Sequence, residues 1–240
     1  MFILASEMRV GSRWLHRVLS EAIDMKLSPE LGTMLHAESL FWYWKEGRIP
    51  KTHSIAPSNL VRRFPDAKVI GMVRNPRDRY VSLAFRSDKA PQDIPVQDRI
   101  QIILDSPEHR KSTILILKEY MSVGLHITQP TCHKHPYCWL DYADFHKDPI
   151  LITHLLLDFI DMDGDAERGV ERWTFDRMID LQNKAINEFN EDMFFCRRGI
   201  VGEWKEHFTQ EQIKETADEQ ALYEKLYSEA IFDPQARKQT

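Results

Sequence analysis

Residues 68–82, KVIGMVRNPRDRYVS, decide how the chain is read. Val69, Ile70, Met72 and Val73 make an apolar run of strand length and composition. The run stops at Arg74. Asn75-Pro76 breaks the extended chain and opens a helix, because proline presets a helical φ and has no N–H to lose at the first helical position. A guanidinium therefore stands at the carboxyl end of a strand, beside a helix N-terminus whose first turns carry Arg77, Arg79 and Ser82. Exposed N–H groups and the positive end of the helix dipole favour anions there, phosphate in particular. The plainer account of the segment is a structural strand, turn and helix with an exposed basic face.

The same succession of elements recurs along the chain. Residues 1–5, MFILA, read as a buried strand and the next seven as a loop. From Arg13 onward, Trp14, Leu15, Val18, Leu19, Ala22 and Ile23 recur at helical spacing. Strand, loop, helix is the opening of an α/β unit. A helix is expected over 31–45, carrying the aromatic run Phe41, Trp42, Tyr43 and Trp44. A second strand is expected at 50–55, with a helix from Pro57. Further helices are expected at 76–86, twice within 96–125 and at 149–160, with a strand at 137–141. After Met162 shorter helices and a loop through Arg198 lead to a last helix over 209–227. With no repeat, low-complexity tract or linker, residues 1–240 read as one α/β domain. Its central, mostly parallel sheet is flanked by helices, and ligands of such sheets bind outside the carboxyl ends of the strands.

Composition narrows the function classes. The chain has 240 residues, 42% hydrophobic and 29% charged, enough for a sizeable core. A net charge of −5 argues against a general nucleic-acid binder. Local charge differs: residues 62–86 hold seven Lys or Arg against two Asp, which suits a small anionic ligand. Cys132, Cys138 and Cys196 cannot all pair within the chain, and no apolar run approaches the ~20 residues of a membrane span. These features give the expectation of a cytoplasmic protein with free thiols and no membrane partner.

Three further segments fall at comparable places. In residues 8–15, MRVGSRWL, Gly11 permits a tight turn after the first strand, and the N–H groups that follow can cradle a phosphate in a P-loop-like manner. Arg9 and Arg13 add charge. A Walker A loop would need Gly, four residues, then Gly-Lys-Ser/Thr, and Ser6 and Ser12 stand where the first Gly and the Lys belong. Lys51 and His53, in KTHS, lie two apart on a strand and face one side, so one can stabilise negative charge while the other takes a proton. In residues 197–209, RRGIVGEWKEHFT, Arg197 and Arg198 can fork onto phosphate oxygens while Gly199 and Gly202 allow close backbone approach. Each has a plainer reading when taken singly: an ordinary strand-to-helix turn, a surface Lys with a hydrogen-bonded His, a basic loop.

Together, in this order and spacing, the four segments resemble the sulfotransferases that use 3′-phosphoadenosine 5′-phosphosulfate (PAPS), most closely the cytosolic type. MRVGSRW sits where that family has Pro-Lys-Ser-Gly-Thr-Thr-Trp. Lys51-Thr52-His53 is identical to its Lys-Thr-His. VRNPRD with Val81-Ser82 matches its 3′-phosphate motif, and residues 197–205 match its Arg-Lys-Gly-x-x-Gly-Asp-Trp-Lys.

The resemblance implies a role for each matching residue. Arg9, Val10, Gly11, Ser12, Arg13 and Trp14 would hold the 5′-phosphosulfate, largely through backbone N–H groups, with Trp14 on the adenine. Arg74, Ser82, Arg197, Arg198 and Gly199 would grip the 3′-phosphate. Tyr142, in YADFHKDP, matches a Tyr-Glu-Asp-Met segment near the adenine, and Trp173 and Phe175, in WTF, fall where the family has Thr-Ser-Phe. His53 would deprotonate a hydroxyl or amine of a small-molecule acceptor, while Lys51 and Arg9 stabilise the sulfuryl oxygens and the leaving phosphate. The fixed cations carry that load, so no metal is expected.

Departures from the pattern qualify these roles. Arg9 replaces a Lys, which keeps the charge but gives up a usable proton. Arg13 replaces a Thr. The family's dimer pattern is half present, since Lys205 and Thr209 fit while Gln210 and Lys214 do not, so that dimer is not expected. The aromatic run 41–44 suits either an acceptor pocket or core packing. Cys132, His133, His135 and Cys138 lack a standard zinc spacing. The competing readings are a P-loop-type nucleotide kinase, against which the missing Walker Lys counts, a non-catalytic binder of the nucleotide, and a glycan or protein sulfotransferase.

Overall fold

A five-stranded parallel sheet runs through the molecule in the order Lys51–Thr52, Phe2–Ser6, Lys68–Val73, Tyr137–Asp141, Leu125–His126. The computed structural model describes residues 1–6, 9–27, 37–53, 56–86, 89–189 and 198–229. Alternation along the strands explains why helices cover both faces. Phe2, Leu4, Ile70, Met72, Cys138 and Leu140 point into one apolar cluster with Leu15, Leu19, Leu156 and Phe159. Ile3, Ala5, Val69, Val73, Tyr137 and Trp139 point into the other, with Leu60, Leu117 and Tyr120.

The decisive segment folds as expected. Lys68–Val73 is the central strand, and Pro76–Ala84 is a helix with Pro76 in its first turn. The Asn75 side chain accepts a bond from the Arg77 N–H and caps it. Every residue of this helix is buried, because it packs against Val96–Leu104 in a third cluster built on Tyr80, Val81, Leu83, Ile100 and Ile103. Burial corrects one expectation. Arg77 does not face an anion site: it donates to Thr216 Oγ1 at 3.0 Å and to Ile213 O at 2.9 Å, and its guanidinium lies 4.6 Å from the Trp204 ring centre. Arg79 donates to Thr113 Oγ1 at 2.8 Å. Both arginines join this helix to its neighbours.

Other differences are local. The second strand of the sheet is only Lys51–Thr52, and Arg48–Ile49 pairs with Lys26–Leu27 in a separate two-stranded ribbon. Leu125–His126 forms an edge strand where a helix end was expected, because Gly124 terminates the preceding helix Pro107–Val123. Phe175–Phe189 is a 15-residue helix, longer than expected after Met162. The last helix is two, Gln210–Glu215 and Ala217–Glu229. No helix of the described residues is long and apolar enough to cross a membrane.

Candidate functional site

Parallel pairing brings four strand ends side by side. Ala5 pairs with Thr52, Ser6 with Met72, and Val73 with Asp141. The residues that follow each strand are the ones the sequence singles out: the Arg9 to Trp14 loop, His53, Arg74 and Tyr142. Arg9, Gly11, Arg13, Trp14, Arg74, Ser82, Tyr142, Phe175, Arg198, Gly199 and Glu203 line one cleft there. Four arginines against one carboxylate make it an anion site.

Two glycines give the cleft its shape. Gly11 has φ 91° and stands before the helix Ser12–Ala22. A Cβ at Gly11 would lie 2.4 Å from the Tyr142 ring. Gly199 has φ 65°, and a Cβ there would lie 2.4 Å from Phe175. Only glycine combines a left-handed backbone with such close ring contacts.

Arg74 links the two loops. It reaches Arg9 O at 3.5 Å and donates to Ile200 O at 3.2 Å, and its guanidinium lies 4.6 Å from the Tyr142 ring centre. Its Nε is buried and has no hydrogen-bond partner among the described residues. Arg9 Nε donates to Ser82 Oγ at 3.0 Å, and Tyr142 Oη to Gly199 O at 3.2 Å. Arg198 Nη1 lies on Glu203 at 3.3 Å and Glu206 at 3.0 Å, so an anion in the cleft competes with two carboxylates for it.

The cleft does not gather every residue the sequence points to. The side chain of Val10 is in the core rather than the cleft, and Ser12 is buried at the start of its helix. Trp14 is buried among Tyr142, Phe145, His146 and Phe175, with Nε1 donating to Trp173 O at 2.6 Å. Trp173 lies beside the cleft, with the Arg17 guanidinium 4.6 Å from its ring centre. Arg197 falls outside the described residues. Of the aromatic run, Tyr43 is buried and Trp44 packs edge-on to Phe2 at 5.5 Å, whereas Phe41 and Trp42 are exposed.

Lys51 and His53 occupy the end of the adjacent edge strand. His53 Nδ1 is 2.8 Å from Ser6 O. Donation to that carbonyl selects the Nδ1–H tautomer of the neutral ring and leaves Nε2 as the nitrogen that takes up a proton. Lys51 is buried, and desolvation, with the Arg13 and Arg17 charges, lowers its pKa to about 7.

Sequence reasoning missed three residues that support this site. His16 Nε2 lies 3.1 Å from Ile49 O, and burial together with Lys51 pushes its pKa down to about 3, so it is a neutral partner behind Lys51. Asp78 accepts from Gly202 N at 2.7 Å and Trp204 N at 3.0 Å, fastening the glycine-rich loop to the helix after Arg74. Glu203 is a cleft wall. Asp78 and Glu203 stand inside motifs quoted from the sequence, yet their partners are more than 120 residues away or set by the loop's fold.

Comparison with known proteins places these features in a family. Residues 2–228 match the model of the sulfotransferase domain. A 3-beta-hydroxysteroid sulfotransferase of Cavia porcellus is 26% identical over 221 residues, 85% of this chain and 70% of that protein. Among solved structures, mouse sulfotransferase SULT7A1 complexed with PAP aligns with a TM-score of 0.63 at 21% identity, over 91% of this chain and 82% of that one. Retinol dehydratase in a complex with retinol and PAP aligns with a TM-score of 0.56 at 17% identity, over 91% and 80%.

Proposed function

The chain belongs to the sulfotransferase family, and from that premise we propose that it moves the sulfuryl group of PAPS to a hydroxyl or amine of a small-molecule acceptor, with His53 as general base. One observation carries the reading: Arg74 Nε is a buried donor without a partner among the described residues, in a cleft walled by Arg9, Arg13 and Arg198. Buried donors are almost always satisfied. Phosphate or sulfate oxygens are the groups best matched to such a cluster of guanidinium forks.

The residues divide the work along the cleft. Arg74, Ser82, Arg198 and Gly199 suit the 3′-phosphate, and Phe175, Tyr142 and the edge of Trp14 offer apolar surface to the adenine. The loop from Arg9 to Arg13 suits the phosphosulfate, since Gly11 turns the backbone so that the helix N-terminus faces the cleft. His53 Nε2 takes the proton of the acceptor as the new O–S or N–S bond forms and the bond between sulfur and the phosphate oxygen breaks. Lys51 and Arg9 stabilise the charge that collects on the leaving phosphate. PAP (3′-phosphoadenosine 5′-phosphate) is the nucleotide product. The relative named for a hydroxysteroid and the neighbour holding retinol, an alcohol, support a hydroxyl acceptor.

A thermal-shift comparison tests the reading. PAP is expected to raise the melting temperature more than Mg-ATP does, and a labelled donor is expected to transfer to at least one member of a panel of phenols, alcohols and amines. Stabilisation by Mg-ATP alone overturns it in favour of a kinase. Binding of PAP with no transfer to any acceptor favours a non-catalytic binder.

A further inference from the structure

Behind Tyr142 lies a buried chain of contacts that the proposed chemistry does not use. The strand Tyr137–Asp141 ends in a fully buried carboxylate. One oxygen of Asp141 accepts from Ala143 N at 2.7 Å and caps the short helix Tyr142–Lys147. The other accepts from Tyr223 Oη at 2.8 Å. Tyr223 comes from Ala217–Glu229, the final described helix, which packs on the sheet face opposite the helix Ser12–Ala22.

We propose that Tyr223 is a positioning residue for the donor nucleotide: through Asp141 it fixes the backbone turn that aims Tyr142 between Arg74 and Gly199. The inference rests on the PAPS reading of the cleft. Tyr142 is the residue between the Asp141 carboxylate and the N–H it caps, so the Asp141 side chain sets the direction in which the Tyr142 ring leaves the strand. That ring is in contact with three walls of the cleft. It lies under the Arg74 guanidinium, its hydroxyl holds Gly199 O, and it leaves no room for a Cβ at Gly11. A tilt of the ring therefore moves both phosphate-facing loops at once.

The chemistry of the pair suits a fixed link. Burial, then the Asp141 charge, push the Tyr223 phenol well above its ordinary range, so it remains a donor. The carboxyl of Asp141 is itself pushed up to about 7 by burial, and the bonds from Ala143 and Tyr223 and the charge of Arg74 oppose that rise. One turn further along the same helix, Tyr227 Oη donates to Asp144 Oδ1 at 2.6 Å. That bond joins the last helix to the short helix Tyr142–Lys147 on the exposed side and bypasses Asp141, which makes it a natural control.

The full chain is compared as wild type, Tyr223→Phe, Tyr227→Phe and Asp141→Asn, with PAP binding by calorimetry and steady-state transfer to an acceptor found in the panel. Tyr223→Phe is expected to raise the Kd for PAP and the KM for PAPS about five- to tenfold, with kcat within about twofold. Asp141→Asn keeps the cap on Ala143 but offers Tyr223 Oη an amide donor in place of a carboxylate acceptor, so a smaller change in the same direction is expected. Tyr227→Phe is expected to change neither constant by more than about twofold. Equal losses in Tyr223→Phe and Tyr227→Phe, or wild-type constants in Tyr223→Phe, overturn the inference alone. A wild-type chain that binds no PAP overturns the nucleotide reading and this inference with it.

Discussion

Arg9 donates from Nε to Ser82 Oγ across 3.0 Å, tying the first strand-to-helix loop to the helix that begins at Pro76. Arg74 reaches the carbonyl of the same Arg9 at 3.5 Å. The residues proposed for the two phosphate ends of the donor are thus joined in one connected set, and a change at either end is expected to be felt at the other.

Arg74→Ala is expected to weaken PAP binding about 10- to 100-fold, since hydrogen bonds to a charged group are worth about 1.5–3 kcal/mol and 1.4 kcal/mol is about a factor of ten. Ser82→Ala, which also removes the acceptor of Arg9 Nε, should weaken it less. Calorimetry with PAP and with adenosine 5′-phosphate separates the ends of the ligand. An equal loss for both nucleotides would show that Arg74 does not read the 3′-phosphate.

His53→Ala should lower the transfer rate by about 10²- to 10⁴-fold, the usual contribution of a positioned base. PAP affinity should stay within about threefold, because His53 lies at the end of the edge strand and outside the cleft lining. Full activity in this variant removes His53 from the mechanism.

Lys51 gives a pH signature whose sign is fixed by burial. Its folded pKa is lowered from 10.5 to about 7, so the unfolded chain holds the extra proton between about pH 7 and 10.5. Stability contributed by this group therefore rises with pH across that window. Lys51→Met is expected to be more stable than wild type below pH 7, with the gap closing toward pH 10 in denaturant melts. A gap independent of pH contradicts the buried-ammonium account. In catalysis the charged form is the useful one, so kcat/KM should fall as pH rises through about 7, and Lys51→Arg should flatten that limb.

Asp78→Ala strips the acceptor from Gly202 N and Trp204 N and should cost about 2–4 kcal/mol, read as a lower denaturation midpoint. The loop carrying Arg198 and Gly199 loses its fastening, so the KM for PAPS should rise as well. A stable variant with an unchanged KM would mean that the loop is held by other contacts.

Much of the fold is legible locally. Lys68–Val73, Tyr137–Asp141 and Pro149–Ile160 have the boundaries that their apolar runs and flanking Asn, Asp and Pro residues indicate. The edge strand Leu125–His126 is not legible. Two residues carry no period, and they are extended because Tyr137–Asp141 offers its free edge. Likewise Lys26–Leu27 and Arg48–Ile49 are strands only by virtue of each other.

The sequence by itself determined the residue types available at the strand ends: Arg9, Arg74 and Tyr142 come after the apolar runs 1–5, 69–73 and 137–140, and Lys51 and His53 stand in a short segment between two helical stretches. Tertiary structure alone decided which of them meet. Arg74, Arg77 and Arg79 lie within six positions and look alike in the sequence, yet Arg74 faces the cleft while the other two are spent on Thr216, Ile213 and Thr113. The physical reason is that a charged side chain takes the side of its element where it can be solvated or paired. On a helix buried all round, that side is set by neighbours distant in the chain.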